Sequence, residues 1–233
     1  MTAAPRALGE IETWIFDLDN TLYPATASLY GEVEARMNEF IMAELKLDRE
    51  AAQTLRKRFF ELHGTTLRGL MLDYGLAPQR FLDYVHELDL SVLPRDARLA
   101  GAIAALPGRK LIFTNATVRH AERVLKHLGL GQSFGVIHDI VACDYLPKPD
   151  PSGYRVLIER HGIVAGRAAM IEDMAKNLVP AAALGMTTIW VSGGPHATAA
   201  DATAAHIHHV VEDLAAFLAG AAPARRQGLI APS

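Results

Sequence analysis

Residues 14–23 read Trp14-Ile15-Phe16-Asp17-Leu18-Asp19-Asn20-Thr21-Leu22-Tyr23. An apolar run enters two aspartates spaced by one residue, followed by turn-forming residues, the pattern of a buried strand ending in a loop. Side chains alternate along an extended backbone, so Asp17 and Asp19 are expected to point the same way. Two carboxylates held together repel each other. A divalent cation offsets that repulsion, and oxygen donors suit Mg²⁺. A carboxylate beside Mg²⁺ can also attack phosphorus and become an aspartyl-phosphate. An acidic loop after a core strand is the plainer alternative, and Asp-x-Asp alone does not separate the two.

Three further segments bear on the choice. Lys110-Leu111-Ile112-Phe113-Thr114-Asn115 is a second apolar strand, ending in a hydroxyl and an amide. Leu146-Pro147-Lys148-Pro149-Asp150-Pro151 fixes a lysine between prolines, whose rings restrict the backbone. Residues 168–177 form a third apolar strand that ends in Glu172 and Asp173, with Asn177 beyond. A parallel sheet gathers its strand C-termini on one edge, where ligands bind. These segments are therefore expected to meet, with Asp17, Asp19 and Asp173 holding the cation and Thr114, Asn115 and Lys148 the phosphate. The Thr114 hydroxyl and the N–H groups of a strand-to-helix turn suit phosphate oxygens. Thr and Asn at that place also serve as plain helix N-caps. Lys148 supplies a charge that neutralises both nucleophile and phosphoryl group.

The chain has 233 residues, half of them hydrophobic, enough for one large domain or a core with an insertion. A net charge of −3 lacks the basic face that a nucleic acid polymer needs. The single cysteine, Cys143, allows no internal disulfide, fits a reducing compartment and is expected in the core near the third strand. There is no long apolar run and no signal-peptide pattern, so the expectation is a cytoplasmic protein without a membrane partner. The oligomeric state stays open.

Along the chain, residues 1–10 read as a loose leader and 221–233, with Pro223, Arg225, Arg226 and Pro232, as a flexible tail. The first strand is expected over 12–17. Leu29, Val33, Met37, Phe40 and Ile41 then recur at helical spacing, and Gly64 and Gly75 break the pattern. Residues 25–90 are therefore read as a helical cap, and 11–24 with 91–220 as the core. In the core, helices are expected over 117–128, 154–161, 177–184 and up to 218, and strands over 137–142, 187–191 and, as a short edge, 209–211. Val118, Ala121, Val124, Leu125 and Leu128 are expected inward on the first of these helices, with Arg119 and His120 on the surface. His206, His208 and His209 read as a polar edge rather than a metal site, having no carboxylate or cysteine nearby. Alternating strands and helices give an α/β fold, a doubly wound parallel sheet with a Rossmann-like core and a helical cap inserted after the first strand.

In order and spacing the four segments resemble the haloacid dehalogenase superfamily in its phosphatase branch, over about residues 11–192. Leu22-Tyr23-Pro24, His63-Gly64-Thr65-Thr66-Leu67-Arg68-Gly69-Leu70, and Glu172-Asp173 followed by Asn177 resemble more narrowly the pyrimidine 5′-nucleotidase-like group. The resemblance implies Asp17 as nucleophile and Asp19 as general acid and then base, with the backbone carbonyl of Asp19, not its side chain, toward the metal. The dehalogenases that name the superfamily lack an acid there, because a departing halide needs no proton. Asp173 is implied as a further metal ligand, with Glu172 acting through water and Asn177 bracing the loop. Many relatives carry Gly-Asp or Asp-Asp where this chain has Glu172-Asp173. His63, Thr65, Thr66 and Arg68 are implied as a specificity loop in the cap. The expected activity is Mg²⁺-dependent hydrolysis of a small phosphorylated metabolite, a pyrimidine nucleoside 5′-monophosphate, through an aspartyl-phosphate. Phosphoglycolate or a sugar phosphate is the alternative substrate. A 2-haloacid dehalogenase and a non-catalytic phospho-ligand binder are more distant readings.

Overall fold

The first strand, β1 (Thr13–Phe16), is buried along its whole length, and its side chains alternate between two cores. Trp14 and Phe16 face one helical layer and Ile15 the other. A strand apolar on both faces belongs in the middle of a covered parallel sheet. The computed structural model, which describes residues 6–27, 29–194 and 197–222, places it there. The other strands are β2 (Arg109–Phe113), β3 (Val136–His138), β4 (Ala168–Glu172), β5 (Thr187–Val191) and β6 (His209–Val211). All pairings are parallel and the order is β3-β2-β1-β4-β5-β6. Phe16 pairs with Ile112 on one side and Ile171 on the other. The winding direction reverses between β1 and β4, so the loops leaving these strands diverge and open a crevice between them.

Helices α1 (Leu29–Leu45), α2 (Arg49–His63), α3 (Thr66–Tyr74) and α4 (Pro78–Val85) lie between β1 and β2 in the chain. Phe40, Ile41, Phe59, Leu70, Phe81 and Leu82 give them a core of their own, joined by Ile140 from the loop after β3. Gly64 closes α2 at φ 80, a left-handed turn that glycine takes without strain. The remaining helices are α5 (Ala97–Ala105), α6 (Val118–Leu128), α7 (Pro151–His161), α8 (Leu178–Ala183) and α9 (Leu214–Ala221). The cluster around Trp14 and Phe16 draws on α5, α6 and α9, and the cluster around Ile15 on α7 and α8. None of the described helices is long and apolar enough to cross a membrane.

The strand expected over 137–142 is shorter. Asp139 takes the chain out of it: its carboxylate accepts from Val118 N–H at 3.0 Å and Ala142 N–H at 2.9 Å, bonds that hold a turn. Cys143 is buried in the cluster around Ile15, as expected. His206, His208 and His209 do not converge. Their ring nitrogens meet the carbonyl of Ala175, Thr188 and the carbonyl of Arg6 respectively. Residues 1–5 of the expected leader and 223–233 of the expected tail lie outside the described residues.

Candidate active site

Strand ends and one loop converge at the crevice. Asp17 follows the last residue of β1, and its N–H donates to the carbonyl of Ile171 on β4 at 2.9 Å. Thr114 follows β2, Glu172 ends β4, and Lys148 comes from the long loop after β3. Lys148 is 3% exposed and donates from Nζ to Asp17 Oδ1 at 2.7 Å, Glu172 Oε2 at 2.6 Å and the Phe113 carbonyl at 2.9 Å. Each ammonium proton thus has an acceptor. Burial works against this charge, but Asp17 and Glu172 outweigh it and hold the ammonium above its ordinary pKa. Asn115 fixes the lysine's backbone, its Oδ1 accepting the Lys148 N–H at 2.8 Å. The Thr114 hydroxyl accepts from Ala116 N–H at 3.0 Å, which leaves its own proton for another acceptor.

Oxygens of Asp17, Glu172 and Asp173 lie within 4.8 Å of one another, all three residues buried. Burial first, then the charge of Glu172, pushes Asp17 up to about 7 and Asp173 up to about 10. Three buried carboxylates share one ammonium, so Asp173 is held protonated and a second positive charge is needed for all three to ionise. Such a compact set of hard oxygen donors fits a divalent cation. Asn177 supports this fit. It lines the same cavity, and its Oδ1 is buried without a hydrogen-bond partner, as an acceptor for ion-bound water would be. Its backbone carbonyl accepts from the Tyr154 hydroxyl. Thr21, not singled out in the sequence, joins the two acids. Its hydroxyl donates to Asp17 Oδ2 at 2.9 Å and accepts from Asp173 N–H at 3.1 Å.

Asp19 lines the cavity, but its carboxylate stands apart from this trio. Strand pairing ends at Phe16, and the Leu18 carbonyl accepts from Leu22 N–H at 3.0 Å, so the alternation of an extended chain gives way to a turn. Asp19 Oδ1 accepts from the Tyr23 hydroxyl at 2.6 Å and lies 3.4 Å from His120 Nε2. Burial pushes this carboxyl up, but His120 and Tyr23 outweigh it and hold it below its ordinary pKa. The surface placement of His120 is thus corrected: the side chain is buried, while Arg119 is exposed as expected. On α6, residues 120, 124 and 128 form one stripe with 121 and 125, and Val118 falls off it at 36% exposure. That spacing held the signal; the polarity of histidine concealed it.

A cavity of about 180 Å³ lies over the acids. Asp17, Asp19, Thr114, Lys148, Glu172 and Asp173 supply its polar floor, and Tyr30, Val33, Met37, Phe60, Phe81 and Leu82 from α1, α2 and α4 an apolar wall. Thr65 and Thr66 line it; His63 and Arg68 do not. His63 packs against Phe59 with ring centroids 5.9 Å apart, and the Thr65 hydroxyl caps α3. Gly64 permits a close approach here, since a Cβ on it would meet Pro147 Cγ at 3.3 Å. Sequence reading also missed Arg56, a buried guanidinium lining the cavity and bonded to Asn38 and Glu34. It shares a stripe of α2 with Ala52 and Phe59, again a charged residue at an inward position.

Residues 11–185 match the family model described as haloacid dehalogenase-like hydrolase. Among curated proteins, the chain is 31% identical over 193 residues to a phosphoglycolate phosphatase of Rhodospirillum rubrum, covering 77% of this chain and 79% of that one. It is 25% identical over 222 residues to phosphate metabolism protein 8 of Saccharomyces cerevisiae, covering 87% of this chain and 62% of that longer protein. Among solved structures, CbbY from Rhodobacter sphaeroides in complex with phosphate shares the fold, at TM-score 0.62 and 19% identity, over 88% of this chain and 95% of that one.

Proposed function

The chain belongs to the haloacid dehalogenase-like hydrolase family, and we propose that it hydrolyses a small phosphate monoester through a covalent intermediate on Asp17. The observation that carries this reading is the buried Lys148–Asp17 pair set among Glu172 and Asp173. It offers a fixed carboxylate nucleophile with positive charge beside it. Asp17 attacks phosphorus, the bond from phosphorus to the leaving oxygen breaks, and Asp19 gives that oxygen a proton. Asp19 takes up this proton as a phosphate dianion arrives, since a neighbouring negative charge disfavours the carboxylate. Water, activated by the same Asp19, then releases phosphate and frees Asp17. The Thr114 hydroxyl and the N–H groups after β2 hold the phosphoryl oxygens where charge develops, and the Lys148 ammonium neutralises charge from its place beside Asp17. Asp17 and Asp173, with Glu172 and Asn177 nearby, would hold Mg²⁺, which would supply further charge neutralisation when bound. The helices of residues 25–90 act as a cap over the core of residues 11–24 and 91–220, excluding water while the ester reacts.

For the leaving group we favour a pyrimidine nucleoside. The apolar wall of Tyr30, Phe60 and Phe81 suits a flat ring, and Thr66 and Arg56 offer polar edges. Phosphoglycolate is the second reading, favoured by the R. rubrum relative of that name. Phosphate release from uridine and cytidine monophosphate, phosphoglycolate and p-nitrophenyl phosphate, with Mg²⁺ or with EDTA, tests both. The expectation is Mg²⁺-dependent release, faster from the nucleotides than from phosphoglycolate. The reverse order moves the substrate to phosphoglycolate. No release from any ester, or full activity under EDTA, contradicts the mechanism.

A further inference from the structure

We propose that His120 and Tyr23 are positioning residues that hold Asp19 as proton donor to the leaving group, and that His86 ties this arrangement to the helical segment. The inference rests on the phosphate-monoester reading above. His120 sits in a stripe whose other members are Ala121, Val124, Leu125 and Leu128, where a buried imidazole is costly unless bonded. Among the described residues its ring meets one hydrogen-bonding partner, Asp19 Oδ1, and its Nδ1 meets none. The Tyr23 hydroxyl closes on the same oxygen at 2.6 Å. Neither donor reaches Oδ2. The carboxyl group is therefore fixed through one oxygen, and the other remains to carry the proton.

His86 follows α4 and lines the cavity beside His120. The two rings stack with centroids 4.4 Å apart and planes 22° apart. Arg123 on α6 holds the His86 carbonyl at 2.8 Å and the Leu88 carbonyl at 3.1 Å. The exit of the helical segment is thereby fastened to the helix that carries His120, and the ring of His86 backs the one that orients Asp19.

The chemistry makes this separable from a structural role. In the proposed step a bond forms between Asp17 and phosphorus. The bond from phosphorus to the leaving oxygen breaks with its electron pair on oxygen, and the Asp19 proton moves to that oxygen. A strongly basic alkoxide depends on the proton; p-nitrophenolate, already a stable anion, depends on it little. The test measures kcat/KM, which reports the step in which the leaving group departs and not the later release of phosphate common to both esters, for a nucleoside 5′-monophosphate or phosphoglycolate, whichever the wild type turns over, against p-nitrophenyl phosphate. Asp19→Asn sets the pattern expected when the acid is lost. Tyr23→Phe and His120→Leu are expected to lower kcat/KM for the alkyl ester by about ten- to a hundredfold more than for the aryl ester. His120→Gln, which keeps a donor, is expected to regain most of the difference, and His86→Ala to show the same bias more weakly. Circular dichroism checks each variant's fold; if His120→Leu does not fold, Tyr23→Phe and His120→Gln still decide. Equal losses on both esters would make these residues structural and overturn the inference. A wild type that releases phosphate from neither ester would overturn the phosphatase reading, and the inference with it.

Discussion

At the scale of single residues, Lys148 governs the electrostatics. Among the described residues it is the one ammonium bonded to Asp17 and Glu172, and Asp173 stands beside them with its pKa pushed up to about 10. An acid whose folded pKa is raised holds a proton that the unfolded chain has released, so stability falls as pH rises between the unfolded value of 3.8 and the folded one. Asp17, raised to about 7, contributes the lower part of that window and Asp173 the upper. His86, lowered to about 3 chiefly by burial, acts only below its ordinary 6.5, and Lys148 only above its ordinary 10.5. The melting temperature of the chelated protein is therefore expected to fall from about pH 7 to about pH 9, with Mg²⁺ stabilising more at the higher pH. A rise over that range, or a Mg²⁺ shift independent of pH, would show that the acids are not the strained group described. Asp17, Asp173, Thr114 and Lys148 were legible because each follows a strand or sits in a proline-held loop. His120 and Arg56 were not. What justifies burying them is a partner elsewhere in the chain, 101 positions away for His120 and Asp19.

At the scale of elements, the helical segment was legible in kind and in its breaks, since Gly64 and Gly75 both take left-handed backbone. How closely its helices pack was not. Gly69 on α3 lies against Phe59 of α2, and a Cβ there would come within 2.2 Å of the ring. Alanine improves helix propensity by about 1 kcal/mol over glycine. At Gly69 the overlap with a fully buried aromatic outweighs this, and Gly69→Ala is expected to lose about 1–3 kcal/mol. Gly31 on α1 has open space where a Cβ would go, so Gly31→Ala should gain up to about 1 kcal/mol. Urea midpoints at unchanged slope measure both. A Gly69→Ala protein as stable as wild type would mean that α2 and α3 pack less tightly than described. Of the two edge strands, β6 was legible at its observed bounds and β3 was not. β3 is short because the Asp139 carboxylate forms a turn, an effect that hydrophobic periodicity does not register.

At the scale of the whole molecule, the alternation of strands and helices announced a parallel sheet, and the sheet order puts β1 beside β4 where the winding reverses. That placement brings Asp17 to Lys148 across 131 positions of sequence. Where the helices stand over the crevice was not legible, because the wall arises from packing α1, α2 and α4 together with Ile140. The proposed mechanism turns on a covalent bond between Asp17 and phosphorus. Borohydride reduces an acyl phosphate to an alcohol, converting a phosphorylated aspartate to homoserine. Rapid quenching during turnover, reduction and peptide mass spectrometry therefore read the nucleophile directly. The predicted result is homoserine at position 17 when ester and Mg²⁺ are both present, and none when either is omitted. Phosphate released in the same sample with Asp17 unmodified, or with the reduced residue elsewhere, would contradict it.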